Sequence, residues 1–429
     1  MLSKTAPLSD WLAWLETLSP TEIELGLERV RRVLSRLELP RPPHVLLVAG
    51  TNGKGSSVAM TDALLRASGY RTGSYTSPHI LAYNERIVVD GNAVSDAQII
   101  AGFEQVEALR DGTELTYFEF GTLTAAVIFA AAKLDVWILE VGLGGRLDAT
   151  NAIEPTASLI TNVSLDHCDW LGDDVEVIAV EKAGVMRDGL PTVFGSRDMP
   201  EAIAKRAHEC GALLLRAGVD FDYQKGDGVT WEWRGPGGQL EMLAAPGFIG
   251  EFQIANAAAV LALLDVAGLM RKIDSSLINN VLPDVSLIGR MQTLKIDEAS
   301  WLMDVAHNPA AAEELAATLT LTATSGQLVA IVGVLDDKDV DGMIAPLTRL
   351  VDRWIALRAD SLRAVSANEL ARQISNITDM ACLVADSPAH AVEFTRRRAS
   401  ENDRILVTGS FFTVGPVLNQ LTTVSRPKS

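Results

Sequence analysis

The chain has 429 residues, of which 48% are hydrophobic and 21% charged, a composition typical of a folded globular protein. This length exceeds what one hydrophobic core usually organises, so we expect two domains. The net charge of −18, from 37 basic and 55 acidic residues, argues against a nucleic-acid partner, because a phosphate backbone would be repelled.

The remaining bulk features concern location. The three cysteines, Cys168, Cys210 and Cys382, lack metal-type spacing and suit a reducing compartment. No secretory signal pattern opens the sequence, and the longest apolar runs are too short to span a bilayer. We therefore expect a soluble, cytoplasmic, monomeric protein with no membrane partner. The basic cluster Arg396–Arg398 is interpreted as a solvated helix face.

Two amphipathic helices are predicted at the beginning of the chain, around 11–18 and 23–37. Strands and helices then alternate, which is typical of a doubly wound parallel sheet. The strands are predicted at 44–50, 72–75, 136–141 and 157–162, with a helix at 118–133. Residues 220–245 predict an antiparallel ribbon at the edge of this domain. A second alternating series is predicted from residue 292, with strands at 300–305, 328–334, 354–357, 381–384 and 405–408.

The residues GTNGKGSS (50–57) lie between a buried strand and a helix. Backbone N–H groups in a glycine-rich turn and a helix N-terminus suit a nucleotide phosphate. Lys54 can reach the terminal phosphates, and Ser56 can contact the nucleotide or its metal. The spacing departs from a Walker sequence because Gly55 separates Lys54 from the hydroxyl. The pattern favours ATP, although the loop alone leaves GTP open, and a glycine-rich turn that binds nothing is the alternative.

Polar side chains recur where strands are expected to end, which is where ligands bind in parallel sheets. Glu140 closes a buried strand, and Ser77 and His167 follow two others, so these side chains are candidate ligands for a hard cation. A lone histidine is more often a satisfied structural residue, and Glu140 can also simply reach solvent. Asp304 closes a strand of the second series, where it can bind a ribose or carry a proton.

In this order the motifs resemble the Mur-ligase-like family of ATP-dependent amide ligases. Within that family they are most similar to the folylpolyglutamate synthases, whose bacterial bifunctional members also make dihydrofolate. The match covers nearly the whole chain, and its most specific motifs are GTNGKGS (50–56), TSPH (76–79), LEVGLGGRLDATN (139–151), EKAG (181–184), DVAHNP (304–309) and GSFFTV (409–414).

The resemblance implies an α/β fold with an N-terminal P-loop-type parallel-sheet ATPase domain, residues 1–291, which binds ATP and pterin. A smaller C-terminal Rossmann-like α/β domain of the glutamate-ligase type follows, residues 292–429. The implied ATP contacts are Thr51, Asn52, Gly53, Lys54, Gly55, Ser56, Asn256, Arg290 and Asp304. The implied metal ligands are Ser77, Glu140 and His167, holding two magnesium ions, with K+ as a further candidate cofactor. Lys54, Lys182, Arg290 and His307 are the implied catalytic residues, with Lys182 carried as a carbamate.

The resemblance also implies a dihydropteroate site formed by three stretches of the chain. Phe118 can stack on a pterin, and Asp148 can accept hydrogen bonds from its N–H groups. One departure from the family pattern is Phe412, where relatives often carry histidine. The three stretches are Ile23, Glu24 and Leu25; Thr116, Tyr117, Phe118 and Glu119; and Leu147, Asp148 and Ala149.

The implied reaction is ATP-dependent. The carboxylate of dihydropteroate or a tetrahydrofolate is converted to an acyl phosphate, and the amine of L-glutamate then displaces phosphate. The alternatives are a folylpolyglutamate synthase without the dihydrofolate activity, and a P-loop nucleotide switch that ligates nothing. A cell-wall peptide ligase is disfavoured, because too few residues precede the loop for a separate nucleotide-sugar domain.

Overall fold

A computed structural model describes residues 6–19, 24–226, 230–297, 299–322 and 325–424. The described residues form two compact units. The first unit takes its residues from Met1–Val163, Asp174–Pro246 and Ile254–Val285, and the second from Ser164–Asp173, Gly247–Gln253 and Ser286–Ser429. The functional division predicted at residues 291 and 292 stays a prediction.

The main sheet of the first unit has eight strands in the order β4-β3-β2-β5-β1-β6-β7-β8. All neighbours are parallel except β2 with β3 and β3 with β4, so a short antiparallel hairpin, which the sequence did not predict, closes one edge. The strands are β1 His44–Ala49, β2 Thr72–Tyr75, β3 Ile87–Val89, β4 Asn92–Ala93, β5 Val136–Glu140, β6 Ala157–Ile160, β7 Pro191–Phe194 and β8 Leu213–Arg216.

The predicted antiparallel ribbon is confirmed in the same unit. It consists of β9 Asp222–Lys225, β10 Thr230–Gly235 and β11 Gly238–Ala244, with β10 in the centre. The indole rings of Trp231 and Trp233 are buried, and the Trp233 Nε1–H donates to the Ala258 carbonyl at 3.0 Å. Trp231 and Trp233, two positions apart on β10, thus anchor the ribbon because their large aromatic side chains are buried.

The second unit has a six-stranded sheet in the order β12-β13-β17-β14-β15-β16. Only the edge strand β12 is antiparallel, and the sequence analysis did not predict it. The strands are β12 Gln292–Ile296, β13 Ala299–Met303, β14 Leu328–Val332, β15 Arg353–Leu357, β16 Cys382–Ala385 and β17 Arg404–Thr408. The predicted α/β class with parallel-rich sheets is therefore confirmed for both units.

Helices follow the strands as expected for parallel sheets whose faces are covered. In chain order they are α1 Leu8–Leu15, α2 Glu28–Leu37, α3 Lys54–Ala67, α4 Asp96–Arg110, α5 Tyr117–Ala132, α6 Cys168–Leu171, α7 Val175–Ala183, α8 Glu201–Cys210, α9 Phe252–Val266, α10 Ser275–Val281, α11 Pro309–Leu321, α12 Val340–Ile344, α13 Ala367–Thr378, α14 Pro388–Arg396 and α15 Phe411–Val424. Among the described residues, no helix is long and apolar enough to cross a membrane.

The beginning of the second predicted helix was wrong. Residues Glu24 to Gly26 are not helical, and α2 begins at Glu28. The Gly26 N–H donates to the Leu147 carbonyl at 3.3 Å, so this segment is held by another part of the chain instead of by its own helix. The apolar spacing alone did not reveal this contact.

Candidate active site

The predicted phosphate loop lies between β1 and α3. Thr51 is buried, Gly53 precedes the first helical turn, and Lys54, Gly55 and Ser56 begin α3. The first N–H groups of a helix lack partners within it, and the helix dipole favours an anion there. The structure therefore gives this loop the geometry of an anion-binding turn.

Two residues after β6 hold the loop, and the sequence analysis did not single them out. The Thr161 Oγ1–H donates to the Asn52 carbonyl at 2.6 Å, and Asn162 Oδ1 accepts from the Asn52 N–H at 3.0 Å. Gly50 has a φ of +144°, and a Cβ there would lie 1.8 Å from Thr161 Oγ1. Position 50 therefore requires glycine. The position of Thr161 and Asn162 at the end of a predicted strand was the signal that could have found them.

Lys54 and Lys182 approach the same oxygen atom of the loop. Lys54 Nζ donates to the carbonyl oxygens of Gly50 and Thr51, each at 3.0 Å. Lys182 lies buried on α7, and its Nζ donates to the Gly50 carbonyl at 3.0 Å. The structure thus brings together the lysine predicted for phosphate and the lysine predicted to be a carbamate.

The two predicted metal ligands of the first unit are also adjacent. Glu140 ends β5 and is 4% exposed, and Ser77 follows β2, which pairs with β5. The Ser77 N–H donates to Glu140 Oε2 at 3.2 Å. A buried carboxylate beside a serine offers the hard oxygen donors that magnesium prefers, so these residues fit a magnesium ion.

Asn256, predicted to contact the nucleotide, lies on α9 against the loop. A Cβ at Gly53 would be 2.6 Å from Asn256 Oδ1. The Asn256 side chain is buried. It therefore borders the turn that precedes α3, as a nucleotide contact requires.

The ring of Phe118, predicted to stack on a pterin, is half-buried beside the segment that follows β5. A Cβ at Gly142 would lie 2.7 Å from Phe118 Cζ, so a side chain there would displace the ring. The Tyr75 ring stacks on it, with centroids 5.9 Å apart and planes inclined by 29°. Gly142 and Tyr75 therefore position this ring.

Asp148 is buried, and its carboxylate is committed to the chain itself. Oδ2 accepts from the N–H groups of Gly142 and Leu143 at 3.0 and 2.9 Å, and Oδ1 accepts from Thr150 N at 3.0 Å and Oγ1 at 2.6 Å. A carboxylate has about four lone-pair sites. Burial raises the pKa of Asp148, and the four hydrogen bonds oppose that shift. The Asp148 carboxylate therefore stabilises the conformation of the segment 142–150.

The stretch 116–119 begins α5. Thr116 caps the helix, accepting from the Glu119 N–H at 3.3 Å, while Glu119 Oε2 accepts from the Thr116 N–H at 2.8 Å. Tyr117 packs edge-on against Tyr83, with centroids 5.8 Å apart. The capping box stabilises the first turn of α5, which carries Phe118.

The remaining predicted substrate residues lie around this stretch. Glu24 is exposed, Leu25 is half-buried, and Ala149 is buried. The Leu147 carbonyl accepts from the N–H of Gly26, the residue that follows the first stretch. Ile23, which was also predicted to bind substrate, lies outside the described residues.

Two predicted nucleotide contacts lie together in the second unit. Asp304, after β13, accepts from the N–H groups of Met291 and Ala306 at 3.0 and 2.9 Å. Loss of hydration raises the pKa of Asp304, and the charge of Arg290 opposes that shift. Asp304 therefore orders the segment that carries Arg290.

Asp166 is the centre of a charged cluster in the second unit. Its carboxylate accepts from Lys338 Nζ at 2.8 Å and from Asn308 Nδ2 at 3.0 Å, and lies 3.4 Å from His307 Nε2. Burial alone would raise the pKa of Asp166. The hydrogen bond from His307 and the charges of His307, His167 and Lys338 outweigh burial and hold this pKa well below its usual range.

This cluster contains His167 and His307, which the sequence analysis proposed as site residues, together with residues that it did not propose. Asp166, His167 and His307 each place one potential ligand atom within 4.8 Å of the others. Asn308 belongs to the DVAHNP motif (304–309), but no pattern in the sequence assigned Asp166, Asn308 and Lys338 to a common site. Their grouping depends on the fold of the second unit.

Phe411 was also missed. The Arg290 guanidinium lies 5.4 Å from the centre of its ring, and the His307 ring lies 5.9 Å away. Aromatic contacts of this kind orient a cation. The neighbouring Phe412, where the sequence departs from the family pattern, is 40% exposed.

Comparison with known proteins decides the family. A model described as the Mur ligase middle domain matches residues 48–264, and one described as the Mur ligase glutamate ligase domain matches residues 289–411. The chain belongs to the Mur ligase family. These two models together contain the phosphate loop, Glu140, Lys182 and the Arg290–His307 segment, and the chain is an ATP-dependent amino-acid ligase.

Curated relatives place this Mur ligase in one branch of the family. The dihydrofolate synthase/folylpolyglutamate synthase of Escherichia coli is 40% identical over 96% of this chain and 95% of its own length. That of Haemophilus influenzae is 37% identical over 96% of this chain and 97% of its own. The Mur ligase therefore belongs with the dihydrofolate synthase/folylpolyglutamate synthases, and the nucleotide-switch alternative is set aside.

Solved structures agree with this placement. The Escherichia coli FolC structure in complex with DHPP and ADP has a TM-score of 0.93 at 39% identity, covering 99% of this chain and 100% of the other. A bifunctional folylpolyglutamate synthase/dihydrofolate synthase with Mn, AMPPNP and L-glutamate bound has a TM-score of 0.90 at 41% identity, covering 98% and 99%. The Mur ligase is thus similar in fold and sequence to enzymes that bind a nucleotide and a divalent metal.

Proposed function

We propose that this Mur ligase joins L-glutamate to dihydropteroate, giving dihydrofolate, and adds further glutamates to tetrahydrofolates. The observation that carries the proposal is the arrangement at the ends of β1, β2 and β5. There the phosphate loop with Lys54 and Lys182, and the Glu140–Ser77 pair, meet at one edge of the sheet. The relatives named above support the choice of substrates.

In the proposed first step, a carboxylate oxygen of the acid attacks the γ-phosphorus of ATP. The bond to the β,γ-bridging oxygen breaks, ADP leaves, and an acyl phosphate remains. We assign the phosphates to the loop from Thr51 to Ser56 and to Asn256, with Lys54 supplying positive charge where negative charge develops. Arg290, beside Asp304 and Phe411, is also assigned to ATP binding.

In the second step, the amine of L-glutamate attacks the acyl carbon. The tetrahedral intermediate collapses, the C–O bond to phosphate breaks, and the amide forms after loss of a proton from nitrogen. Phosphorylation is needed because a carboxylate is a poor electrophile at neutral pH. We assign His307 to this second half of the site, where Asp166, ionised because of its low pKa, orients the His307 ring.

We assign magnesium to Ser77, Glu140 and His167. When bound, magnesium offsets the negative charge of the phosphates. We propose that two magnesium ions bind, and K+ is a further candidate cofactor.

Carbamylation of Lys182 also belongs to the proposal. The Lys182 side chain is buried and shares the Gly50 carbonyl with Lys54. A neutral lysine amine adds to CO₂ with release of one proton. The resulting carbamate is an anion, so the repulsion between two ammonium groups is replaced by attraction.

The pterin end of the acid is assigned to the three stretches around Phe118. Phe118 supplies the ring that stacks on the pterin. Since the Asp148 carboxylate already accepts four hydrogen bonds, we propose that Asp148 shapes this site by folding residues 142–150.

We also propose that the enzyme is cytoplasmic and monomeric, and its three free cysteines suit a reducing compartment. An ADP-release assay tests the function. Release is expected only when ATP, L-glutamate and an acid are all present, with either dihydropteroate or tetrahydrofolate as the acid. Activity with tetrahydrofolate alone would indicate an enzyme without the dihydrofolate activity, and ADP release that ignores both acid and glutamate would contradict ligation.

A further inference from the structure

Arg29 connects two of the three stretches assigned to the pterin site, although it belongs to none of them. It lies in the first turn of α2. Its Nε and Nη2 donate to the Glu119 carboxylate at 3.2 and 3.0 Å, and Nη2 also donates to the Glu24 carbonyl at 2.9 Å. Nη1 pairs with the Glu24 carboxylate. The guanidinium therefore joins Glu24 to Glu119, and Glu119 lies 90 positions from Arg29 in the sequence.

The Glu119 carboxylate depends on this partner. Glu119 is 3% exposed, and its carboxylate also caps α5 through the Thr116 N–H. A buried carboxylate that loses its only oppositely charged neighbour is strongly destabilised, and Arg29 is the only cation with an ion pair to Glu119 among the described residues. Arg29 thus fixes both the beginning of α5 and the segment that precedes α2.

The third stretch is connected through the same segment. The Gly26 N–H donates to the Leu147 carbonyl at 3.3 Å, and Gly26 lies three positions before Arg29. Because Arg29 fixes Glu24, it also keeps Gly26 close to residues 142–150, the segment that the Asp148 carboxylate stabilises. All three stretches meet at residues 24–29.

We propose that Arg29 is a positioning residue for the pterin end of the acid substrate. This inference rests on the proposed function. All three nitrogens of the guanidinium donate to Glu24 or Glu119, so we assign to Arg29 a role through the stretches it joins and not through the reacting atoms. Its loss leaves the phosphate loop intact but lets the walls of the pterin site move independently. Binding of the pterin acid is then weakened, while the rate of the bound complex is preserved.

The test compares Arg29→Gln with Arg36→Gln. Arg36 lies in the last turn of the same helix and donates to the carbonyls of Leu109 and Arg110 at 3.3 and 3.0 Å, so it also anchors α2 but away from the three stretches. For Arg29→Gln we expect the KM for dihydropteroate to rise at least tenfold, with kcat and the KM values for ATP and L-glutamate within threefold of wild type. For Arg36→Gln we expect all four constants to be unchanged. Arg29→Lys, which keeps the charge but loses the fork of donors, is expected to lie between Arg29→Gln and wild type.

Arg29→Gln leaves the Glu119 carboxylate buried without its cation, so the variant can fail to fold. The double variant R29Q/E119Q removes that charge while still lacking the connection to Glu24, and it is expected to fold and to show the same rise in KM. Direct titration with dihydropteroate, followed by protein fluorescence, measures binding without turnover.

An unchanged KM in a folded variant, or a fall in kcat with no change in KM, would overturn the role of Arg29. If wild type neither binds nor uses dihydropteroate, the proposed function fails first and the role of Arg29 fails with it. If wild type uses dihydropteroate and the folded variants have the same KM for it as wild type, the proposed function stands and only the role of Arg29 is wrong.

Discussion

Lys54 and Lys182 donate hydrogen bonds to one carbonyl oxygen, that of Gly50, each at 3.0 Å. Two ammonium groups at one oxygen repel each other, and one of them is buried. A phosphate in the loop, or the proposed carbamate on Lys182, would offset this repulsion.

Replacing Lys54 with alanine should abolish ligation without unfolding the protein. Its ammonium supplies charge to the phosphates, and loss of one such group typically lowers the rate by about 10²–10³-fold. ADP release and the thermal melting curve measure the two effects. Lys205→Ala, at an exposed position on α8, is the control and should keep full activity. An unfolded Lys54→Ala variant, or one with normal turnover, counts against the assignment.

Lys182 should carry a carbamate. Protein incubated with ¹³C-bicarbonate is expected to show a carbamate resonance by NMR, and Lys182→Arg should lack it because a guanidinium does not add to CO₂. Lys182→Ala is expected to lose activity and to regain part of it when acetate or formate is added as a replacement anion. No difference between the wild-type and Lys182→Arg spectra would remove carbamylation from the account.

Glu140→Gln should weaken the response to magnesium. Glutamine can still accept from the Ser77 N–H but carries no charge. The magnesium concentration for half-maximal ADP release is therefore expected to rise at least tenfold, about 1.4 kcal/mol. Glu154→Gln is a suitable control, since Glu154 is a half-exposed carboxylate paired with Arg187. A magnesium titration equal to wild type would exclude Glu140 from the metal site.

His79 should make the protein less stable in mild acid. Burial, together with the charge of Arg86, lowers the pKa of His79 to about 4 from 6.5, and the Arg86 Nε–H donates to His79 Nδ1 at 2.9 Å. The unfolded chain takes up a proton near pH 6.5, whereas the folded chain does so near pH 4. The stability contributed by neutral His79 is therefore complete above pH 6.5 and is lost as pH falls toward 4.

The pH effect can be isolated with His79→Gln, which can accept from Arg86 but cannot be protonated. Between pH 7 and pH 5 we expect wild type to lose about 1–2 kcal/mol more free energy of unfolding than this variant. Urea denaturation at the two pH values measures the difference. The exposed His208 provides a control, since His208→Gln should follow wild type. Parallel losses in wild type and His79→Gln would show that His79 does not titrate in this way.

Much of the first unit followed from local patterns. The strand–loop–helix sequence at 44–67 predicted the phosphate turn, and strand ends predicted that Ser77 and Glu140 share one edge of a sheet. These inferences rely on the period of buried strands and on the rule that parallel strands end together. Both kinds of evidence come from residues that are close together in the sequence, so one sequence is enough to show them.

What the sequence did not reveal depends on contacts between distant residues. The Arg29–Glu119 pair joins two helices, and Asp166 gathers Asn308 and Lys338 from distant positions. The true beginning of α2 is set by Gly26 meeting Leu147. No local period encodes such pairs. The commitment of Asp148 to its own segment was hidden for a related reason, because a sequence shows which groups are able to accept but not which donors already occupy them.

The fate of the carboxylate oxygen tests acyl-phosphate formation most directly. Dihydropteroate labelled with ¹⁸O in both carboxylate oxygens is incubated with the enzyme, ATP and L-glutamate, and the released phosphate and the amide are analysed by mass spectrometry. The account predicts one ¹⁸O atom in each phosphate and one in the carbonyl of the new amide. Phosphate without ¹⁸O, released while the amide forms, would contradict activation of the acid by phosphorylation.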